Sequence, residues 1–309
     1  MKQQSLVSIV IPCYNYAKYV DDAIGSVFAQ TYKNIELIVI NDGSTDNSDE
    51  VIRQAQKKYK FKYFKQTNRG IVATRNKGVR LATGQFLIQL DADDMLPKNY
   101  VQTLIDTAAK QKVDIFYTAA KDLNTGKVVI DPPEFNIEIL KHHNYIHASS
   151  MVRLETIKKY KYDQYLNDKG LEDWDMFLMM CLDGATGLYV KGVSLQYRQH
   201  NDIKSRNEKI RNNNQELDAI RHILTKHITN HPKQIGYMIS YLHFVDRLLI
   251  ANRTNEDHVQ EIKNLKKENA DLKQAIEYLQ ARISKLRNLP PLKLYFFTKS
   301  IWRSTFTKK

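Results

Sequence analysis

The chain is apolar from Leu6 to Cys13 except at Ser8. A short run without alternation predicts a strand buried on both faces. Ile35–Asn41 reads the same way, and shorter strands are expected over Phe61–Lys65 and from Phe86 into Asp91. Between them the apolar spacing turns helical over Ala17–Ala29 and from about Ile71 to Ala82. This alternation predicts an α/β fold, a mostly parallel sheet flanked by helices. Beyond residue 113 the pattern becomes irregular, which suits a smaller subregion. Stripes at Leu217, Ile220, Leu224 and Ile228, and at Ile235, Ile239, Leu242 and Leu249, predict a helical hairpin broken at Pro232. From Glu261 to Arg287 the period tightens to a heptad, with Ile262, Asn269, Ile276 and Ile283 at a and Leu265, Leu272, Leu279 and Leu286 at d. Ile at a with Leu at d predicts a parallel two-stranded coiled coil, with Asn269 fixing register. The reading divides the chain into an α/β domain over 1–205, a helical extension over 206–254, a coiled coil over 255–289 and a tail over 290–309.

Parallel strands bring their carboxyl ends to one edge, where ligands of open α/β sheets bind. Three such ends are polar here: Tyr14-Asn15 after Pro12, Asp42-Gly43-Ser44, and Asp91-Ala92-Asp93-Asp94. Asp91 and Asp93 are two apart, so on extended backbone they point the same way and could share a cation. Hard carboxylate oxygens suit Mg2+ or Mn2+. The alternative is an Asp-rich turn capping the next helix. Asp42 could accept the N–H of a pyrimidine base, or sit in a strand-to-helix turn capped by Thr45 or Asp46. Arg75, in the helix after Gly70, could reach a diphosphate or stay solvated. Glu172, Asp173 and Asp175 fall in a helix's first turn, where the dipole favours acids, and Trp174, Phe177 and Leu178 would face the core. Gln196-Tyr-Arg-Gln-His200 follows another apolar strand.

These segments, taken together, carry a resemblance. Pro12-Cys-Tyr-Asn15, Asn41-Asp-Gly-Ser-Thr-Asp46, Asn68-Arg-Gly70 with Arg75-Asn76, Asp91-Ala-Asp-Asp94, Glu172-Asp-Trp-Asp175 and Tyr197-Arg-Gln-His200 resemble the family-two glycosyltransferases of the GT-A fold. Order and approximate spacing agree over roughly residues 5–205. The resemblance implies an inverting enzyme using a nucleotide sugar, commonly a UDP-sugar. It implies that Asp42 holds uracil, that Asp91 and Asp93 bind ribose and metal, that Asp173 is the base, and that His200 completes the metal or diphosphate site. Pro12, Tyr14, Asn15, Gly70, Arg75, Ala92, Glu172 and Arg198 complete the expected donor site, with Arg198 or Arg75 beside the departing UDP. The chain departs from some processive relatives at Leu171, where they have Thr, and it lacks their transmembrane helices. The expectation is therefore a bacterial-type, non-processive enzyme of polysaccharide or glycoconjugate synthesis, acting on a saccharide acceptor, lipid-linked on the tail's evidence. A nucleotidylyltransferase would need a Gly-rich loop where Pro12-Cys-Tyr-Asn15 stands. The remaining alternative is a catalytically inactive, zipper-dimerised scaffold that binds nucleotide sugar.

Charge alters the picture only at the end of the chain. The 309 residues carry a net charge of +13, and Arg282–Lys309 holds eight basic residues and no acidic one. Residues 292–309 mix these with Tyr295, Phe296, Phe297, Trp302 and Phe306, a composition that favours an anionic membrane surface. The apolar residues before the zipper leave no basic DNA-reading helix, which excludes nucleic acid as the main partner. No stretch approaches 18 apolar residues, so none is expected to span a membrane. Cys13 and Cys181 fit no metal spacing, and a reducing cytoplasm is the default. The expected protein is thus a homodimer through 261–287, peripheral on the inner face of the cell membrane.

Overall fold

The computed structural model describes residues 4–199, 215–232, 236–253, 265–272 and 274. β1 (Val7–Cys13) is buried along its whole length. It lies between β2 (Ile35–Asn41) and β4 (Phe86–Gln89), parallel to both, and β3 (Lys62–Lys65) extends the parallel sheet beyond β2. The crossovers are α1 (Val20–Phe28), α2 (Ser48–Lys58) and α3 (Gly70–Leu81). Ile9, Ile11, Ile24, Ile52, Val39 and Ile88 pack in the same buried core. That double-sided burial is the physical reason the first two strands show no alternation.

The sheet then changes character. α4 (Tyr100–Ala108) precedes β5 (Ile115–Asp122), and β6 (Val128–Ile130), α5 (Ile137–Leu140), β7 (Met151–Arg153) and α6 (Leu154–Ile157) follow. α7 (Glu172–Leu182) leads into β8 (Gly187–Tyr197). The strand order is β3-β2-β1-β4-β7-β5-β6, with β8 beside β5. β7 is antiparallel to both β4 and β5, so the eight-stranded sheet is mixed. β6 and β7 have three residues each, too few to leave a periodic trace in the sequence. From β1 the chain winds out through β2 and β3, then crosses to β4 on the other side of β1. The reversal creates a crevice at the carboxyl ends of β1 and β4.

Helix ends shift by small amounts from the sequence reading. The helix expected from Ala17 begins at Val20, because residues 17–19 form a turn. The strand expected to reach Asp91 ends at Gln89, although Leu90 N still donates to Val10 O at 2.9 Å. α8 (Gln215–Asn230) and α9 (Gly236–Arg253) lie on either side of Pro232. The buried face of α8 is Ala219, Ile223, Leu224 and His227, rotated from the expected stripe. The cause is polar: Asp175 of α7 is fully buried and receives Lys226 Nζ at 2.6 Å and faces His227 Nε2 at 2.8 Å. Lys226 also reaches Asp163 at 3.0 Å, and Asp163 faces His222 at 3.0 Å.

Of the expected coiled coil, residues 265–272 are helical, Leu265 is buried and Leu272 is exposed. Glu268 meets Arg247 of its own chain at 3.2 Å. The rest of the heptads, the tail at 292–309 and His200 lie outside the described residues. Cys13 and Cys181 are buried free thiols. Among the described residues no helix is long and apolar enough to cross a membrane.

Candidate active site

The crevice is built from strand ends that hold one another. Asn15 leaves β1 in the left-handed region, with φ of 59°, a conformation Asn tolerates better than most residues. Its Oδ1 accepts from Thr45 N at 2.7 Å and Asp46 N at 3.3 Å, and its own N–H donates to Ser44 Oγ at 3.0 Å. Asn15 thereby ties the end of β1 to the loop after β2. The N-cap of α2 is Asn47, not Thr45 or Asp46, and Asp46 accepts from Ser48 N at 3.0 Å one residue earlier. Tyr14 stands at this edge with 43% of its surface exposed, while Pro12 lies inside β1.

Asp42 is only 3% exposed. Its carboxylate accepts from Arg69 N at 3.0 Å, Gly70 N at 2.8 Å and Gln66 Nε2 at 2.7 Å. The residue expected to meet a base therefore also fastens the N-terminus of α3, where unpaired amides and the helix dipole favour an anion. A carboxylate has about four acceptor positions, so these three bonds leave room for one more. At Gly43, with φ of +73°, a Cβ would sit 2.5 Å from Asn68 N. At Gly70, with φ of +84°, it would collide with the Asn167 side chain. Asn167 Oδ1 in turn accepts from Val72 N at 3.2 Å.

Arg75 is the centre of the site. It is buried, and its guanidinium spans two acids: Nη1 donates to Glu172 Oε1 at 2.8 Å and Nη2 to Asp91 Oδ1 at 2.9 Å. Burial disfavours its charge, but Asp91, Glu172, Tyr162 and Asp173 outweigh that and raise its pKa. The arginine expected at a diphosphate thus joins the end of β4 to the start of α7. Ala92 is buried, Asp93 half-buried and Asp94 buried within the turn that follows. Burial, then the charges of Asp93 and Asp91, push the Asp94 carboxyl well up. Met95 pairs with Gln196 at the end of β8, which brings Arg198 to this turn. Arg198 N donates to Asp94 Oδ1 and its Nε to Asp93 O, both at 2.9 Å, while Nη2 reaches Asp22 at 3.1 Å. Its guanidinium lies over the Tyr19 ring. In this arrangement Arg198 braces the acidic turn against α1.

Asp173 is half-buried at the first turn of α7. Burial, then the Glu172 charge, lifts its carboxyl to about 6, with Arg75 acting in the opposite direction. Its Oδ1 accepts from Trp174 N at 2.8 Å and from Asn144 Nδ2 at 3.3 Å. Tyr16 and Tyr197 flank the acids, and burial plus the charges of Asp91, Asp93 and Asp94 keep both phenols protonated. Trp174, Phe177 and Leu178 are buried as the spacing predicts. Asp175 points away from the crevice, into the contact with α8. Among the described residues, no group of three or more His, Cys, Asp or Glu side chains could by itself hold a metal. Asp91 and Asp93 do bring hard oxygen donors to one turn, which suits a cation that keeps several waters or phosphate oxygens. Asn144, Asn167 and Tyr162 also contact the site residues, and no sequence motif marks them.

An α/β crevice with an acidic turn on one side and a near-neutral carboxylate on the other can bind a phosphorylated ligand and remove a proton beside it. Residues 8–179 match the family described as Glycosyl transferase family 2. The chain belongs to glycosyltransferase family 2. The match covers β1 through most of α7, with Asp42, Asp91, Asp93 and Asp173, and it stops short of β8 and α8. Within the family, the chain is 36% identical over 110 residues to Glycosyltransferase GlyA of Streptococcus pneumoniae, covering 35% of this chain and 16% of that protein. It is 33% identical over 183 residues to Chondroitin synthase of Pasteurella multocida, covering 57% of this chain and 19% of that protein. The aligned stretch is thus under a fifth of either relative's own length. In fold the chain is similar to S. aureus TarS 1-349 in complex with UDP, with a TM-score of 0.63 and 17% identity over 84% of this chain and 78% of that one. The mixed sheet flanked by helices is therefore GT-A-like.

Proposed function

We propose that this family-two protein is an inverting glycosyltransferase that moves a sugar from a UDP donor to a hydroxyl of a saccharide acceptor. The observation that carries the reading is the place of Asp173, a carboxylate lifted to about 6, next to Glu172, which Arg75 joins to Asp91 in the acidic turn. The UDP complex of the TarS relative supports the choice of donor.

Tyr14, Asn15, Asp42 and Gly70 line the edge that would receive the nucleotide, with Asp42 as acceptor for the uracil N–H. Asp91 and Asp93, with His200, would hold Mn2+ or Mg2+, which when bound offsets charge on the departing diphosphate. Asp173 takes the proton of the acceptor hydroxyl. The freed oxygen forms the new bond to the anomeric carbon from the face opposite UDP. The bond from that carbon to the phosphate oxygen breaks, and its electron pair leaves with UDP. Glu172, held by the Arg75 guanidinium at 2.8 Å, orients the sugar or acceptor.

The proposal places the reaction in cell-surface polysaccharide or glycoconjugate synthesis. It extends to a lipid-linked acceptor, a zipper dimer through 261–287 and membrane contact through 292–309. Asp173→Asn tests the chemistry, because it keeps shape and removes the base. Calorimetry should show donor binding retained while turnover is nearly lost. Retained turnover would show that another group is the base, and no binding of any nucleotide sugar would end the enzyme reading.

A further inference from the structure

The segment before β7 faces α7 and is closed on itself. Asn136 caps α5, its Oδ1 accepting from Glu138 N at 2.8 Å. The Tyr145 phenol then locks the segment's two ends, accepting from Asn136 N and donating to Asn136 O, both at 3.0 Å. Leu140, Tyr145 and Ile146 are buried, so the loop is part of the packed core. Two contacts join it to the first turn of α7. Trp174 Nε1 donates to Leu140 O at 2.6 Å, and Asn144 Nδ2 donates to Asp173 Oδ1 at 3.3 Å. The Asn144 amide has one orientation available, because Ile146 N–H, which can only donate, meets its Oδ1 at 3.2 Å. The NH2 end must therefore face the carboxylate.

We infer that Asn144 is a positioning residue for the base Asp173. Together with Trp174 N it holds one carboxylate oxygen, so the other oxygen is turned toward the acceptor hydroxyl. The inference rests on the reading of Asp173 as the base. The donor set is asymmetric in a useful way: both bonds fall on Oδ1, and both favour the ionised form. The ionisable groups facing Asp173 among the described residues are Glu172 on its own helix, Arg75 from α3, Asp91 after β4, Tyr162, and Tyr197 from β8. Of these, Glu172 and Asp91 disfavour a second negative charge, whereas the protonated phenols of Tyr162 and Tyr197 carry none. A neutral donor such as Asn144 offsets that without adding a cation to compete for the acids.

The test compares Asn144→Ala and the isosteric Asn144→Asp with the parent chain in full pH–rate profiles. In Asn144→Ala we expect kcat about tenfold lower, the scale of a hydrogen bond to a charged group, with donor KM unchanged. The acid limb should move up by about one pH unit, and further in Asn144→Asp, which replaces the donor with a repelling carboxylate. A merely structural residue would change KM or melting temperature and leave the limb in place, and that outcome overturns the inference. If Asn144→Ala does not fold, the isosteric variant decides alone. Asp173→Asn runs beside them: if it keeps turnover, the base reading itself has failed. If it loses turnover while the Asn144 profiles match the parent, only the positioning role is lost.

Discussion

Removing the Arg75 guanidinium should strike fold and chemistry together. In Arg75→Met the stem stays apolar and two acids lose their partner. The Asp91 side chain is 37% exposed and can rehydrate, whereas Glu172 is 6% exposed and cannot. Breaking a buried pair by removing one member costs about 3–5 kcal/mol. The partial exposure of Asp91 argues for the low end, about 3 kcal/mol, most of it the desolvated Glu172 carboxylate. For a domain of this size each kcal/mol lowers the melting temperature by about 2–4 °C, so a fall of about 6–12 °C is expected. Adding Glu172→Gln should recover most of it, because the second substitution removes the stranded charge. Arg75→Lys should fall between, since one ammonium cannot span two carboxylates as a planar fork does. Scanning calorimetry on the parent, Arg75→Met, Glu172→Gln and the double variant closes a double-mutant cycle, and a coupling of about 2–3 kcal/mol is expected for residues in direct contact. The same proteins titrated with UDP separate this role from that of a phosphate ligand. If Arg75→Met melts like the parent yet binds UDP far more weakly, Arg75 serves the diphosphate and the bridge is incidental. A double variant no more stable than the single would refute the stranded-carboxylate argument directly.

Turnover should rise with pH through about 6 and level off above, following ionisation of Asp173. Its folded pKa is raised, so the stability this group contributes is present below its unfolded value and lost as pH rises through about 6; a kcat/KM limb near the ordinary carboxylate pKa would show the site to be well solvated. Lys226→Met should cost about 3 kcal/mol in urea unfolding, the low end for breaking a buried pair, because the fully buried Asp175 carboxylate is left on His227; a loss under about 1 kcal/mol, the scale of a surface pair, would show that the Lys226 pair contributes little to holding α8. Asp93→Ala should weaken UDP binding only when Mn2+ is present, and an equal loss with chelator added would count against a metal role. A chain ending before Glu261 should be monomeric by light scattering, while Asn269→Ile in the full chain should raise stability and admit higher oligomers; a dimer that survives the cut removes the zipper as its cause.

What the sequence made legible divides along a physical line. Strands buried on both faces must be apolar throughout, so β1 and β2 announce themselves, and parallel winding then carries Asn15, Asp42 and Asp91 to one edge without further information. Polar partnerships leave no such local mark. Arg75 and Glu172 stand 97 residues apart, Asp175 and His227 52 apart, and nothing near either member names the other. Asn144 and Asn167 lie in loops, where no periodic pattern marks them.

The Glu172-Asp-Trp-Asp175 run shows why a cluster in sequence need not be a cluster in space. Successive residues of an α-helix turn by about 100°, so four neighbours face four directions. Glu172 meets Arg75, Asp173 meets Asn144, Trp174 reaches Leu140 O, and Asp175 is taken by Lys226 and His227. One turn of helix therefore joins the acidic site, the loop before β7 and α8 at a single point. The acids in that turn cannot stand in for one another. The carboxylate at 172 is taken up by the Arg75 guanidinium, and the one at 175 lies in an ion pair away from the crevice. Glu172 and Asp175 are buried, whereas Asp173 is half-buried at the crevice, and burial with the Glu172 charge lifts its carboxyl to about 6. The proposal of Asp173 as the base rests on the helix rotation, which a count of acids in the motif does not reveal.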